Sequence, residues 1–323
     1  MIVDHQAHWF PPSFLETLRK RATWPRLVTF DGLPALEVAD GAVLPVRPEL
    51  ADLDLQFASA DENGIDVLVS SPITCGETSF LDPAEAAELL EELNEAVGAA
   101  QRRHPDRFVG LAMLPMQDPD RAIAVLDRAV SRDGLRGVSV LASNDGRPIA
   151  TAETLPVYRR IEELDLPVVL HPAFRSSTFR GQHRSRAEAG VGWMVQTALA
   201  AVEMIDSGTL DACPGLVVVH PHLGGVLPYV AGRANRYTSI AERSLYEYLR
   251  TQFYVDTVSA TPGALRLAVT AYGLDRVVFA TDYPFIAMAP GREYVDAELD
   301  QAQRDAIYEN RVPNLVLPDA KPA

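Results

Sequence analysis

The sequence predicts an α/β protein, a (β/α)8 TIM barrel with a small β-ribbon inserted after the first strand. Two observations favour this fold: short apolar segments recur along the chain, and longer amphipathic segments separate them. The short segments are rich in β-branched residues and are apolar at both odd and even positions. This pattern is typical of a parallel sheet that is covered on both faces. A doubly wound open sheet is the alternative.

The predicted strands are bounded by Gly, Pro or Asp. They occupy residues 1–3, 66–70, 108–113, 137–141, 167–170, 216–219, 253–255 and 277–280, which makes eight. Helices are predicted for residues 83–104, 119–132, 151–164, 188–205, 263–272 and 296–310, where apolar residues recur at three- and four-residue spacing. No glycine-rich phosphate-binding motif follows any of the strands, which argues against a nucleotide-binding fold.

Residues 21–48 interrupt this alternation with short β-prone pieces, which are separated by the dipeptides Asp31-Gly32 and Asp40-Gly41. Asp-Gly is typical of tight hairpin turns, so we predict a β-ribbon in this segment. We expect the ribbon to lie over the carboxyl ends of the barrel strands, where barrel enzymes have their sites. The predicted organisation is therefore a single barrel domain over residues 1–323 with one insertion.

Composition narrows the class of protein. The 323 residues include 29 Lys and Arg against 44 Asp and Glu, a formal net charge of −15, and nucleic-acid binding requires a basic face. Two cysteines are too few for a disulfide framework or a Cys-rich zinc site. The first residues lack the pattern of a signal peptide, and no apolar run is long enough to span a membrane. We expect a cytoplasmic protein that acts on a small molecule.

Polar side chains occur at the carboxyl ends of several predicted strands, and in a barrel all of these ends meet at one face. Asp4, Gln6 and His8 follow the first strand at a spacing of two, so strand alternation places them on one side and His5 on the other. Later strands are followed by His171 after the fifth, His220 and His222 after the sixth, and Asp282 after the eighth.

Imidazole and carboxylate groups that converge at one point are the ligands of a divalent metal site. Each residue alone has a simpler explanation: a histidine in a proline-containing loop is usually structural, and Asp282 could cap a helix. The occurrence of His8, His171, His222 and Asp282 together at strand ends is hard to explain by chance. The sequence therefore predicts a metal site at the carboxyl face of the barrel.

Five motifs span nearly the whole chain in a fixed order: VDHQAHWFPP, RFVGLAMLPMQDP, LPVVLHPAF, VVVHPHLGGVLPYVAGR and VVFATDYPF. On these motifs the sequence resembles the amidohydrolase-related family typified by aminocarboxymuconate semialdehyde decarboxylase. This is a branch of metal-dependent decarboxylases and hydrolases within the amidohydrolase superfamily. The resemblance implies a divalent metal ion, with zinc ahead of manganese, and a homodimer.

The resemblance also assigns roles within this chain. His8, His171 and Asp282 match metal ligands of the family. His222 matches the histidine of its H-x-G-G motif, which acts as an acid or base on the substrate or on a metal-bound water. Asp282 is able to accept a proton as well, so His222 and Asp282 are the expected catalytic residues.

Further positions correspond to substrate-binding residues of the family. Trp193 matches a tryptophan that often lines the substrate pocket, and we expect Phe174 beside it. Arg233 matches an arginine that reaches the substrate carboxylate of the neighbouring subunit. The arginine usual in the helix after the ribbon is not evident here, and Arg47 and Arg175 are the candidates to replace it.

Gln6 departs from the family pattern, because it stands where a ligand histidine is usual. An amide oxygen is a poorer zinc ligand than an imidazole. Three outcomes are open: Gln6 binds the metal through its oxygen, His8, His171 and Asp282 bind it alone, or the protein holds no metal. In the last case His222 and Asp282 would perform acid/base chemistry without a metal, or the protein would only bind a ligand.

The expected reaction is nonoxidative decarboxylation of a small aromatic or unsaturated carboxylic acid, on the resemblance. Hydrolysis of a small C–N, lactone or C–C substrate is the alternative, because the same ligands serve both reactions.

Overall fold

The computed structural model describes residues 1–39, 42–174, 187–238, 242–258 and 263–315. Within these ranges the strands are β1 (Val3–Ala7), β2 (Arg26–Phe30), β3 (Leu33–Ala39), β4 (Ala42–Pro45), β5 (Val67–Ser70), β6 (Phe108–Gly110), β7 (Ala112–Met113), β8 (Val138–Leu141), β9 (Val168–His171), β10 (Val218–His220), β11 (Phe253–Asp256) and β12 (Val277–Val278).

The α-helices in the same ranges are α1 (Pro12–Arg19), α2 (Pro48–Ala51), α3 (Leu53–Glu62), α4 (Pro83–Arg103), α5 (Pro119–Ser131), α6 (Leu155–Glu163), α7 (Trp193–Asp206), α8 (Thr209–Ala212), α9 (Leu227–Tyr237), α10 (Leu245–Thr251), α11 (Ala264–Tyr272), α12 (Met288–Glu298) and α13 (Gln301–Glu309). Within the described residues, no helix has the length and apolarity needed to cross a bilayer.

The parallel strands close into a barrel. One run of pairs joins β1, β5 and β6, and a second joins β7 through β12 in order. The two runs meet at Leu111, where the chain passes from β6, paired with β5, to β7, paired with β8. On the opposite side the Asp282 N–H donates to the Gln6 carbonyl at 2.8 Å and the His5 N–H to the Phe279 carbonyl at 3.0 Å. With β6 and β7 counted as one interrupted strand, the described residues form an eight-stranded barrel, and the predicted fold is confirmed.

The strands are buried on both faces, which explains their continuous apolar sequences. Alternate residues such as Val3, Val67, Val169 and Val219 pack against one another and form one apolar cluster. The residues between them, such as Val168, pack with the surrounding helices in a second cluster. The barrel wall is therefore a rigid support for the side chains at its carboxyl end.

The predicted ribbon is an antiparallel sheet of β2, β3 and β4. Asp31 and Gly32 connect β2 to β3, both at positive φ, as a tight hairpin turn requires. The second predicted turn, at residues 40–41, lies outside the described residues. After β4, the Arg47 guanidinium donates to the Pro284 carbonyl, two residues past Asp282, which fastens the end of the ribbon beside the carboxyl face of the barrel.

Some predicted boundaries differ from the structure. The first strand is Val3–Ala7 instead of residues 1–3, so Asp4 and Gln6 lie within it. The helix predicted for residues 188–205 opens with a π-helical turn, Glu188–Gly192, before α7. The helix predicted for residues 296–310 is two helices. The first, α12, ends at Glu298, and Asp300 caps the start of α13 by accepting from the Gln303 N–H at 2.9 Å.

Candidate active site

Three side chains from distant parts of the chain meet at the carboxyl face of the barrel. His8 directly follows β1, His171 is the last residue of β9, and Asp282 lies in the segment after β12. One ligand atom from each of the three lies within 4.8 Å of those of the other two, and all three residues are buried. His8 Nε2 is 2.8 Å from Asp282 Oδ1.

The backbone fixes which nitrogen each histidine presents to this cluster. The carbonyl of Ser71 lies 3.1 Å from His8 Nδ1, and that of Pro172 lies 2.9 Å from His171 Nδ1. Because a carbonyl only accepts, both Nδ1 atoms carry a proton and donate it. The Nε2 lone pairs then face the cluster, which is the arrangement that metal-ligating histidines adopt. Two imidazoles and one carboxylate held in this way fit a divalent metal ion.

The charge states also suit a metal. Burial would raise the pKa of Asp282, but the imidazoles of His222 and His8 outweigh it and hold the pKa well below its usual range. Burial, together with the neighbouring His8 and His222, lowers the pKa of His171 well below its ordinary value. At neutral pH the cluster therefore offers an ionised carboxylate and a neutral His171 imidazole.

His222 stands beside the cluster on a tightly bent segment. Its Nε2 is 3.9 Å from Asp282 Oδ2 and 3.4 Å from Gln6 Nε2. Burial lowers the pKa of His222, but the carboxylates of Asp282 and Asp256 outweigh this effect and raise it above 6.5. This raised pKa favours the protonated imidazole, the form in which His222 can act as an acid.

The glycines after His222 are required by the same bend. His222 and Leu223 have φ values of 56° and 55°, and Gly225 has a φ of 58°. A Cβ at Gly225 would lie 2.2 Å from the Met194 carbonyl oxygen at the start of α7. The H-x-G-G sequence thus allows the backbone to pass close to α7 while the imidazole turns towards the cluster.

Gln6 reaches the same place from β1. Its Nε2 donates to Asp282 Oδ1 at 3.2 Å, while its Oε1 is buried and has no hydrogen-bond partner among the described residues. Asp4, two residues earlier, points elsewhere: its carboxylate accepts from the Thr281 N–H at 3.0 Å and from the Gln6 N–H at 3.1 Å. Gln6 therefore has an unused carbonyl oxygen close to the candidate metal ligands.

A cavity of about 250 Å³ opens onto this cluster. Its polar wall includes His171, His222 and Asp282. The rest of its wall is mainly apolar and comprises Leu44, Ile73, Pro172, Phe174, Ala189, Trp193, Met194, Phe285 and Ile286, with Thr74. The Phe174 and Trp193 rings meet edge to face, with centroids 5.4 Å apart. The cavity has the size and lining suited to a small ring or unsaturated chain.

Other predicted substrate residues lie away from this wall. Arg47 is exposed, and its guanidinium is engaged by the Pro284 carbonyl. Arg233 is exposed on α9 and stacks on Tyr237, with its guanidinium carbon 5.2 Å from the ring centroid. Neither is among the described residues that line the cavity. Arg175 lies outside the described residues.

Asp256 and Thr74 belong to the site region but were not predicted from the sequence. Asp256 is the last residue of β11, and its charge raises the pKa of His222. The rule that found His171 and Asp282, a polar residue at the carboxyl end of a strand, would also have found it. Thr74 lines the cavity at a φ of 69°, and no sequence signal marks it.

A parallel barrel with two histidines and a carboxylate at the carboxyl ends of its strands is typical of barrel enzymes, and this cluster could hold a divalent metal ion. A comparison with protein families then identifies the family to which the chain belongs. A family model described as amidohydrolase matches residues 3–310, and the chain belongs to this amidohydrolase family.

Two decarboxylases are similar to this chain at modest sequence identity. A gamma-resorcylate decarboxylase of Rhizobium radiobacter is 30% identical over 72% of this chain and 76% of its own length. A 2-amino-3-carboxymuconate-6-semialdehyde decarboxylase of Dictyostelium discoideum is 28% identical over 72% of this chain and 66% of its own. The solved structure of a dihydroxybenzoic acid decarboxylase from Polaromonas sp. JS666, with bound manganese and the inhibitor 2-nitroresorcinol, has a TM-score of 0.76. Its identity is 24% over 98% of this chain and 99% of that one.

Proposed function

We propose that the protein is a metal-dependent nonoxidative decarboxylase of a small aromatic or unsaturated carboxylic acid. The observation that carries the proposal is the buried cluster of His8, His171 and Asp282 at the end of an apolar cavity, with His222 beside it. Two relatives of this chain are decarboxylases of carboxylic acids by name, which supports the same reaction.

In this proposal His8, His171 and Asp282 hold the metal, and the unpartnered Oε1 of Gln6 completes the set. Imidazole ligands favour zinc, whereas the oxygen ligands from Asp282 and Gln6 also suit manganese, which the related solved structure contains. We therefore propose Zn²⁺ first and Mn²⁺ second.

The bound metal supplies a positive charge that holds substrate oxygens and draws electron density from them. The residues of this chain do the rest. Phe174 and Trp193 flank the apolar part of the substrate. His222 donates its proton to the carbon that carries the carboxylate, the C–C bond breaks, its electron pair returns to the substrate, and CO2 leaves. Asp282, ionised and 3.9 Å from His222 Nε2, stabilises the protonated imidazole before transfer.

Arg47 and Arg233 are also proposed to contribute to substrate binding, although neither lines the cavity of this protomer. Arg47 acts from the ribbon, through its bond to the Pro284 carbonyl next to the ligand segment. Arg233 acts in a homodimer, where it would reach the partner subunit's substrate. Support comes from α9, which leaves Tyr229 and Tyr237 exposed at 84% and 69% on the side of the helix that carries Arg233. Sedimentation equilibrium tests the dimer, and a monomer at micromolar concentration would contradict it.

We also propose that residues 1–323 form one barrel domain in which the ribbon of residues 21–48 is an insertion. The family match over residues 3–310 supports this organisation. A cytoplasmic location is proposed as well, since both cysteines, Cys75 and Cys213, are free thiols.

The decisive test combines metal analysis with substrate screening. The protein is purified without added metal, its metal content is measured, and CO2 release is followed with carboxylated phenols. Lactones and amides serve as the comparison, because turnover of these instead would favour the alternative hydrolase. Less than about a tenth of an equivalent of metal, with no activity gained on adding Zn²⁺ or Mn²⁺, would contradict the proposal.

Gln6 is the observation that favours the second alternative, a metal-free protein. Gln6→His should tighten zinc binding, measured by competition with a chelator, because an imidazole replaces an amide oxygen. Gln301→His is the matched control, since it adds a histidine on α13, on the surface. If neither variant changes the affinity for zinc, Gln6 does not face the metal.

A further inference from the structure

Thr74 is a polar residue of the cavity wall that the proposed reaction does not use. It lies in the segment after β5, borders the cavity, and is only 3% exposed. The other polar residues among the described cavity-lining residues are His171, His222 and Asp282, which have their tasks at the metal or in proton transfer. Apolar pockets orient their ligands through a few placed polar groups. Thr74 is therefore available to bind a polar group of the substrate.

The hydroxyl of Thr74 is not used by the fold. The Thr74 carbonyl accepts from the Glu77 N–H at 3.2 Å, but the side chain takes part in no hydrogen bond within the described part of the chain. A hydroxyl group can donate one hydrogen bond and accept others. When a ring fills the cavity and excludes water, a hydroxyl without a partner costs free energy. A ligand that brings an oxygen to this point is therefore preferred over one that does not.

The backbone of Thr74 points in the same direction. Its φ of 69° is left-handed, a conformation that suits glycine or asparagine and is unfavourable for a β-branched residue. Residues held in such a conformation destabilise the fold locally and are concentrated at ligand-binding and active sites. The threonine side chain is therefore better explained by a task in the cavity than by the stability of the turn.

The segment that carries Thr74 is fastened to the site at both ends. At one end, the Ser71 carbonyl accepts from His8 Nδ1 at 3.1 Å. At the other end, the buried Glu77 accepts from the Phe174 N–H with its Oε2 at 3.1 Å. Thr74 is thus held between a candidate metal ligand and an aromatic residue of the cavity wall, and its side chain has a fixed place relative to both.

We propose that Thr74 is a specificity-determining residue: its hydroxyl faces the cavity and hydrogen-bonds an oxygen substituent of the substrate other than those held by the metal. The ligand class is a carboxylic acid that carries an additional hydroxyl or carbonyl oxygen on its ring or chain. The inference rests on the proposed function, because it takes the metal to hold the other oxygens of the substrate.

Thr74→Val tests the inference, since it removes the hydroxyl and keeps the branched shape of the side chain. CO2 release from 2-hydroxybenzoic acid is compared with release from the dihydroxybenzoic acids that add one hydroxyl group to it. In the wild type, kcat/KM should be higher for at least one of the dihydroxy acids, and Thr74→Val should reduce this preference about tenfold. Thr74→Ser keeps a hydroxyl and should retain the preference within about twofold. The preference is a ratio within one protein, so the amount of active enzyme does not affect it.

Thr197→Val is the matched control. Thr197 is also buried, and its hydroxyl has no partner among the described residues, but it lies on α7 and not on the cavity wall. This variant should keep the preference of the wild type. A wild type without preference for any dihydroxy acid, or a Thr74→Val variant with the preference of the wild type, would overturn the inference.

A binding measurement separates the inference from the proposed reaction. Isothermal titration calorimetry gives the affinities of the wild type and Thr74→Val for phenol and for the dihydroxybenzenes, and no turnover is needed. Should CO2 release be absent with every acid while the wild type binds a dihydroxybenzene more tightly than phenol and Thr74→Val does not, the proposed reaction fails and the role of Thr74 stands. Should CO2 be released with the same preference in both proteins, the reaction stands and the inference fails. Equal affinities for phenol and every dihydroxybenzene in the wild type would also refute the inference.

Discussion

The pH dependence of stability tests the structure at His220, a residue outside the proposed chemistry. His220 ends β10, is fully buried, and shares a hydrogen bond of 2.8 Å between its Nδ1 and the Tyr272 hydroxyl. Burial, aided by the nearby His222, lowers the pKa of His220 from 6.5 to about 3. The folded protein therefore keeps this ring neutral over a pH range in which the unfolded chain binds a proton.

The sign and size of the effect follow from proton linkage. Because the folded pKa lies below the unfolded one, the contribution to stability is complete above pH 6.5 and is lost as the pH falls towards 3. Between about pH 4.5 and 5.5 the unfolded state binds close to one extra proton at His220. The free energy of unfolding therefore falls by about 1.4 kcal/mol for each unit by which the pH is lowered, from this residue alone. His5, with a pKa lowered by burial to about 4, acts in the same direction. Asp4 and Asp256, with pKa values raised by burial to about 7 and 6, act in the opposite one.

A difference between variants isolates the contribution of His220. His220→Asn removes the titrating ring and keeps a polar partner for Tyr272, and urea unfolding at a series of pH values gives the free energy of each protein. Relative to the wild type, the slope of this free energy against pH should decrease by about 1.4 kcal/mol per unit in the variant. Tyr272→Phe is the control, which should cost about 1 kcal/mol but keep the wild-type slope. Equal slopes in the wild type and His220→Asn would show that the ring is not held neutral by burial.

Three further changes probe the site. His222→Ala should abolish turnover and leave the metal content and the circular dichroism spectrum unchanged, whereas a large loss of metal would make His222 a ligand. Gly225→Ala should destabilise the protein by more than about 2 kcal/mol in urea unfolding, because its Cβ would lie 2.2 Å from the Met194 carbonyl oxygen at a positive φ. Gly190→Ala, with nothing within 4 Å of the added carbon, should cost far less, and a similar cost in both would contradict this account. Trp193→Ala should raise KM about tenfold at unchanged metal content, since it removes one aromatic wall of the cavity.

Much of the fold could be predicted because the barrel imposes a simple pattern on the sequence. Strands buried on both faces need continuous apolar segments, and connections between parallel strands need helices. The division of residues 296–310 into the ends of α12 and the whole of α13 was missed, because the three- to four-residue spacing continues across the break. The Asp300-x-x-Gln303 capping box that starts α13 was visible in the sequence and is the signal that would have located it.

The candidate site was less accessible to prediction where it depends on contacts between distant segments. The placement of His171 and Asp282 at one face follows from the topology, since carboxyl ends of parallel strands meet there. The bond from Arg47 to the Pro284 carbonyl joins residues 237 positions apart, and no local pattern reveals it. The left-handed conformation of Thr74 is equally hidden, because a β-branched residue gives no hint of it.

The ribbon and the barrel contribute different parts of the candidate site. Leu44 of β4 forms part of the cavity wall, whereas the ligands and the proton donor come from the barrel strands and the segments that follow them. Changes at Leu44 can therefore reshape this part of the cavity wall while the reacting groups stay fixed. Exchange of the segment from β2 to β4 can therefore change the substrate during evolution. The same exchange is open to protein engineering, provided that Arg47 is kept to bind the Pro284 carbonyl.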